Sequence, residues 1–225
     1  MNRLSINEKP TDWYDLKQSR TRVSLLNAGS IRPQFEHIKM DSTLEISDAI
    51  CLTETWLWND EDKSKFQLDG FKVNHNCAGR GKGVSVYYKE SKFEHKQDVT
   101  EEQIQITKLT GENFELITVY KAPKGNDSEL KNHFKNLIDL KKPTLVCGDF
   151  NMCYIESKRN QSTTYLLQNG FKQIVREATY IKGGHIDHVY LRTDETLSAT
   201  VEIYSPYYTA KDHDAICVSF PQTEE

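Results

Sequence analysis

The stretch that best indicates the fold is Thr144-Leu145-Val146-Cys147-Gly148-Asp149-Phe150-Asn151. Residues 144–147 are predominantly apolar, which is typical of a β-strand covered on both faces. An acid and an amide follow where such a strand would reach the surface. These last residues could also form only a turn, because Gly, Asp and Asn favour turns.

Three other short pieces close apolar runs in the same way, namely Leu52–Trp56, Ile186–His188 and Lys211–Asp214. Each delivers a carboxylate or an imidazole to the end of a predicted strand. Taken singly, such an acid is more often a cap and such a histidine more often a surface residue. Acids that converge with one histidine are what metal-assisted cleavage of a phosphate ester requires, so their joint occurrence predicts this chemistry.

Strands and helices alternate along the chain. Strands are predicted at 23–26, 49–52, 84–88, 103–109, 114–120, 144–147, 189–191, 200–203 and 215–220, and helices at 33–46, 130–140 and 164–169. This pattern predicts an α/β fold with two mixed β-sheets packed face to face and helices outside, a four-layer α/β sandwich. The strand ends would then gather at one rim and bring together Asn27, Glu54, Asp149, Asn151, Asp187 and His213.

Composition sets the broad class of the protein. We expect a flexible leader at residues 1–22, one domain at 23–221 and a frayed tail at 222–225. No apolar run approaches the roughly 20 residues that span a bilayer, and the polar N-terminus does not resemble a signal peptide. The prediction is an intracellular, monomeric protein that does not bind membranes. Its five cysteines include no C-x-x-C pair, which argues against a zinc or redox site.

The residues also suggest a division of chemical roles. Mg²⁺ prefers oxygen ligands and needs only one or two carboxylates, for which Glu54 and Asp212 are the candidates, with Mn²⁺ as a possible substitute. Asp149 could orient or deprotonate the attacking water, and Asp187 could fix the tautomer of His213. The net charge of −4 argues against a wholly basic nucleic-acid binder but not against a nuclease, because several acids would hold a cation.

From Asn27 to Phe220 the chain resembles the endonuclease/exonuclease/phosphatase superfamily, which includes apurinic endonucleases and DNase I. The matching pieces are Leu26-Asn27, Leu52–Trp56, Gly81–Tyr87, Val119–Pro123, Gly148–Asn151, Ile186–His188 and Asp212-His213. The resemblance implies a DNase I-like fold and a metal-dependent phosphodiesterase.

The resemblance also implies roles for individual residues. Glu54 would be the principal metal ligand, with Asp212 beside the metal, and Asn27 would help to hold the phosphate or the metal. Tyr120 would contact the scissile phosphate. Asn151 and Thr179 would complete the substrate site. Lys211, which departs from the family pattern, could contact a phosphate or be only a solvated loop lysine.

The sequences of these motifs are similar to those in endonuclease domains of mobile elements, namely non-LTR retrotransposons and Helitron-type transposons. The implied function is target-site nicking of DNA in the nucleus that leaves a 3′-hydroxyl, beside a linked or associated reverse transcriptase or helicase. The alternatives are a phosphatase or lipid phosphodiesterase of the same superfamily, and a catalytically inactive DNA-binding module.

The sequence departs from the repair enzymes of this superfamily at two places. Asn27 is followed by Ala28-Gly29, where the repair enzymes often have Asn-x-Asp, so one metal ligand is missing. The usual Ser before Asp-His is Lys211, and the usual Pro after it is replaced by Asp214-Ala215. The compact chain also leaves little room for loops that grip damaged DNA, which argues against specificity for abasic sites.

Overall fold

The computed structural model describes residues 20–58, 60–154, 160–193, 199–208 and 212–221. Residues 1–19 of the predicted leader, the predicted tail and Lys211 lie outside these ranges. In chain order the elements are β1 (Arg20–Asn27), α1 (Ile31–Met40), α2 (Ser42–Glu45), β2 (Ala49–Thr53), α3 (Asp60–Lys65), β3 (Lys72–Asn76), β4 (Val84–Tyr88), β5 (Glu94–Thr100), β6 (Ile104–Thr110), β7 (Glu115–Lys121), α4 (Asp127–Leu137), β8 (Thr144–Asp149), α5 (Gln161–Gln168), β9 (Lys172–Gln173), β10 (Asp187–Arg192), β11 (Thr200–Tyr204) and β12 (Ala215–Pro221).

The strands form two sheets of six. The first sheet has the order β11-β12-β1-β2-β4-β3, and the second has the order β5-β6-β7-β8-β10-β9. Each sheet has a parallel pair near its centre, β1 with β2 and β7 with β8, flanked by antiparallel neighbours. Both sheets are therefore mixed, as the sequence predicted.

Continuous apolar runs arise because the central strands are buried on both faces. In β1, Leu25 points into the core between the sheets, whereas Leu26 packs with α1 on the outer face. In β8, Leu145 belongs to the core between the sheets, and Val146 packs with α4 and α5 outside. The layers are therefore helix, sheet, sheet and helix, which confirms the predicted four-layer sandwich.

Several predicted element boundaries differ in the structure. β1 already begins at Arg20, inside the predicted leader. The predicted helix at 33–46 is two helices, because the backbone at Asp41 is extended and its side chain accepts a hydrogen bond from the Thr43 backbone nitrogen, which begins α2. The helix α3, which begins at Asp60, was not among the predicted helices.

None of the described helices has the length and apolar character needed to cross a membrane.

Candidate active site

The strand ends do converge at one rim, although two of the four pieces open a strand rather than close one. Glu54 and Asp149 stand at the carboxyl ends of β2 and β8. Asp187 and His213 lie at the start of β10 and just before β12. Because β10 is antiparallel to β8, the first residue of one strand pairs with the last residue of the other, and Asp187 lies opposite Asp149.

Gly148 allows Asp149 to reach this position. The backbone of β8 comes so close to β7 here that a Cβ on Gly148 would lie 1.8 Å from the Val119 carbonyl oxygen, and its φ is +153°. Only glycine fits such a close approach of two backbones. The glycine in the Gly148–Asn151 piece is therefore a packing requirement of the fold.

Asp149 is fully buried and held by three hydrogen bonds. Its Oδ1 accepts from the backbone nitrogen of Asn151 at 2.9 Å, and its Oδ2 accepts from Asn27 Nδ2 at 2.9 Å and from Asn151 Nδ2 at 3.1 Å. Burial, followed by the nearby charges of Asp187 and Glu54, raises the pKa of Asp149 well above its ordinary value, against the opposing effects of His213 and the Asn151 backbone N–H.

Asp187 and His213 form the predicted pair. His213 Nδ1 lies 2.9 Å from Asp187 Oδ2, which also accepts a 2.8 Å hydrogen bond from the Thr179 hydroxyl. Burial alone would lower the pKa of His213, but the hydrogen bond and charge of Asp187, together with Asp149 and Glu54, outweigh it and raise the pKa to about 9. The imidazole is therefore positively charged at neutral pH.

A short stretch of backbone pairing holds His213 over Asp187. Residue Tyr180 forms an isolated antiparallel bridge with His213. On either side, the Ile181 nitrogen donates to the Asp212 carbonyl at 2.9 Å and the Asp214 nitrogen donates to the Thr179 carbonyl at 2.8 Å. This pairing brings Thr179 and His213 to the same carboxylate.

Glu54 is partly exposed and lies on a strained loop. Glu54 and Trp56 have φ angles of 50° and 59°, and such left-handed backbone in residues other than glycine clusters at functional sites. Glu54 Oε1 accepts from Asn27 Nδ2 at 3.1 Å, and its Oε2 accepts from Trp56 Nε1 at 3.3 Å. Asn27 thus joins the carboxylates of Glu54 and Asp149.

Four predicted contacts with the substrate or metal differ in this geometry. Both Nδ2 hydrogens of Asn27 are bonded to carboxylates, so neither is left for a phosphate, and its Oδ1 accepts from the Gly29 nitrogen at 3.0 Å. Both Nδ2 hydrogens of Asn151 are bonded to Asp149 and the Lys121 carbonyl, so none is left for a phosphate. Asn151 reaches the site through left-handed backbone, with φ of 48°.

Two predicted substrate contacts through hydroxyl groups also differ in the structure. Tyr120 is buried, and its hydroxyl donates to the Gly81 carbonyl at 2.7 Å, while burial and the charges of Glu54 and Asp149 raise its pKa. Thr179 is fully buried and bonds Asp187, so it orients a carboxylate and does not face a substrate.

Carboxylate oxygens of the kind that bind Mg²⁺ are present at this rim. In the described parts of the chain, ligand atoms of Asp149, Asp187 and His213 lie within 4.8 Å of one another. Asp187 Oδ1 is buried there without a hydrogen-bond partner among the described residues. Asp212 is exposed and, like Glu54, does not belong to this group, so its predicted role beside the metal stays a prediction.

The fold is found in known proteins. The model of the endonuclease/exonuclease/phosphatase family matches residues 23–207. An AP endonuclease from Archaeoglobus fulgidus has a TM-score of 0.67 and 16% identity, over 89% of this chain and 99% of that chain. The endonuclease domain of TRAS1, a telomere-specific non-LTR retrotransposon, has a TM-score of 0.65 and 12% identity, over 91% of this chain and 100% of that chain.

A third structure, the AP endonuclease LMAP from Leishmania major, has a TM-score of 0.70 and 12% identity, over 99% of this chain and 93% of that chain. These identities establish a shared fold. A sequence comparison with curated proteins gives no significant match. The family model covers most of the sequence, and the chain therefore belongs to the endonuclease/exonuclease/phosphatase family.

Proposed function

We propose that this protein is a Mg²⁺-dependent endonuclease that hydrolyses a phosphodiester bond, nicks one DNA strand and leaves a 3′-hydroxyl. The observation that carries the proposal is the meeting of a buried carboxylate, Asp149, with the Asp187–His213 pair and with Glu54 at one rim. Similar folds occur in AP endonucleases and in the endonuclease domain of a retrotransposon.

The residues at the rim fit a divalent cation. Glu54 is partly exposed, so its carboxylate is accessible to an ion from solvent, and the buried Oδ1 of Asp187 lacks a partner among the described residues. Glu54 would hold the cation, and Asp187 is a buried carboxylate at the same rim with an oxygen to offer. The ion, when bound, offsets the negative charge that builds up on the phosphate in the transition state.

Asp149 is the group that takes the proton of the attacking water. Burial and the neighbouring negative charges raise its pKa, which makes it a stronger base than an exposed carboxylate. Three hydrogen bonds fix the orientation of its carboxylate, and Oδ1 accepts only one of them.

His213 is the donor that faces the phosphate. Asp187 engages Nδ1, and no described residue bonds Nε2. A charged imidazole with a free N–H can stabilise the developing negative charge or protonate the leaving oxygen. Thr179 and Asp187 fix the ring so that this hydrogen has a defined direction.

The proposal also includes the kind of mobile genetic element that this activity would serve. The sequence motifs resemble mobile-element endonucleases, and the fold is shared with the TRAS1 domain. Target-site nicking by such an element needs a 3′-hydroxyl that a polymerase can extend. We therefore propose DNA as the substrate, with the nick serving as a primer end.

The test is conversion of supercoiled plasmid to the open-circular form in Mg²⁺ or in EDTA, followed by extension of the nick with a DNA polymerase and no prior end treatment. The proposal expects nicking in Mg²⁺ only, and ends that extend directly. Folded protein that binds DNA without nicking it would support an inactive module. Hydrolysis of inositol phosphates or sphingomyelin in place of plasmid would support the phosphatase or lipid phosphodiesterase alternative.

A further inference from the structure

We propose that Trp56 is a positioning residue for Glu54: its indole N–H sets the orientation of the carboxylate that binds the divalent cation. This inference rests on the proposed function of the site. Trp56 Nε1 donates to Glu54 Oε2 at 3.3 Å, and Asn27 Nδ2 donates to Oε1 at 3.1 Å. Each carboxylate oxygen therefore has one protein donor, which fixes the plane of the group and leaves lone pairs for an ion.

The loop holds Trp56 in place through its backbone. The Trp56 nitrogen donates to the Lys82 carbonyl at 2.9 Å, and the Trp56 carbonyl accepts from Arg32 Nη1 at 2.9 Å. These two bonds tie the residue to the Gly79–Gly83 turn on one side and to α1 on the other.

The ring of Trp56 is held as well. The Arg80 guanidinium carbon lies 5.7 Å from the centroid of the ring, within the range of a cation–π contact. Backbone bonds and a stacked cation together determine where the indole nitrogen points. The N–H is therefore fixed before any ion arrives.

The backbone conformation supports a functional reason for this residue. Trp56 has a φ of 59°, which is unfavourable for a bulky side chain, and Glu54 two residues earlier has a φ of 50°. Between them, Thr55 is fully buried. Two left-handed residues on either side of a buried one place the carboxylate and the indole on the same side of the loop.

Packing alone would not need the indole nitrogen. A phenylalanine at position 56 would keep an aromatic face for Arg80 and both backbone bonds, and it would lose only the N–H and the outer ring. Residues that orient a metal ligand in this way change metal affinity by about 10- to 100-fold when removed. The two possible roles of Trp56 are thus separable by one substitution.

The experiment measures Mg²⁺ and Mn²⁺ binding by calorimetry, without DNA, in wild type, Trp56→Phe and Trp58→Phe. Trp58 is the matched control, because its ring is 65% exposed and lies against Gly79. Trp56→Phe is expected to raise the metal dissociation constant about 10- to 100-fold. Trp58→Phe should leave it unchanged.

Activity adds a second readout. In Trp56→Phe, plasmid nicking should be recovered at high Mg²⁺, because the defect is in holding the ion and not in proton transfer. A metal dissociation constant equal to that of wild type would overturn the inference. An activity loss that persists at saturating metal would also overturn it, since it would indicate a structural role.

A further variant covers the case in which Trp56→Phe does not fold. Arg80 is exposed, so Arg80→Ala can be made without opening the core, and it frees the indole ring. The inference expects several-fold weaker metal binding in Arg80→Ala, and unchanged binding would overturn it. If wild type binds metal but never nicks DNA, the proposed function fails while the Trp56 inference stands.

Discussion

The two sheets contribute two unlike halves to the site. The first sheet supplies Glu54, a partly exposed acid on a left-handed loop with two neutral donors, Asn27 and Trp56. The second sheet supplies Asp149, which is fully buried and lies opposite a second buried acid, Asp187. Both halves stand on the same rim, yet their acids are in different electrostatic environments.

Burial distinguishes the chemical roles for which the acids of this rim are suited. Burial and the crowding of negative charge raise the pKa of Asp149, and Asp187 has a histidine partner whose own pKa is raised to about 9. The partly exposed carboxylate of Glu54 is therefore suited to binding an ion, and the buried carboxylate of Asp149 is suited to accepting a proton.

The largest expected effect comes from Asp149→Asn, which preserves shape but removes the proton acceptor. We expect nicking to fall about 100- to 10,000-fold, the scale of general acid–base catalysis. The loss should be the same at low and high Mg²⁺, measured as the initial rate of plasmid nicking. Recovery at high Mg²⁺ would mean that Asp149 and Glu54 share one role and that the two halves are not distinct.

A second prediction concerns His75 in the first sheet, where burial also determines the pKa of a side chain. His75 is buried, faces the Tyr87 ring and the Ser85 hydroxyl, and has Lys63 as the nearby cation, and burial lowers its pKa to about 4. In the folded protein His75 takes up its proton only at a lower pH than in the unfolded chain. The contribution of His75 to the free energy of unfolding is therefore fully present above about pH 6.5 and is lost as the pH drops towards 4. At 1.36 kcal/mol per pKa unit, the loss is about 3 kcal/mol.

The measurement is urea unfolding at several pH values in wild type and in His75→Gln. The variant should lack this part of the acid dependence. Equal slopes in both proteins between pH 6.5 and 4 would show that His75 titrates normally and that burial does not govern its proton.

A third prediction concerns Asn27, which joins the two halves. Asn27→Ala removes hydrogen bonds to both Glu54 and Asp149, and we expect a loss in nicking of about 10- to 100-fold, as for other residues that orient ligands. Combining it with Glu54→Gln should give less than the sum of the two separate losses, because the residues share one hydrogen bond. Additive losses would mean that the halves act independently.

The smallest loss of nicking activity is expected from a substitution beside Asp187, in the half of the site that the second sheet supplies. Thr179→Val keeps the shape but removes the hydroxyl bond to Asp187, and nicking should fall about tenfold. Thr53→Val is the control, because the Thr53 hydroxyl is buried without a partner among the described residues. Equal losses in both variants would indicate that the buried methyl or the packing matters, and not the bond to Asp187.

The sequence predicted much of this fold because its central strands have a strong signal. β1, β2, β4 and β8 are buried on both faces and contain apolar runs, and each was predicted within a few residues. β5 was missed because it is an exposed strand, EHKQDVT, without apolar alternation. β3 was missed for a similar reason, since the polar residues of KVNHN pair with the opposite sheet, for example Asn74 with Asp98.

The sequence by itself indicated that the acids, amides and histidine stand next to strand ends, and these are the side chains that gather at the rim. Only the tertiary structure decided how their hydrogen atoms are used. Asn27, Asn151 and Thr179 direct their donors at carboxylates instead of outward. The physical reason is that a buried carboxylate needs hydrogen-bond donors, and which neighbours supply them depends on distances that no local pattern contains.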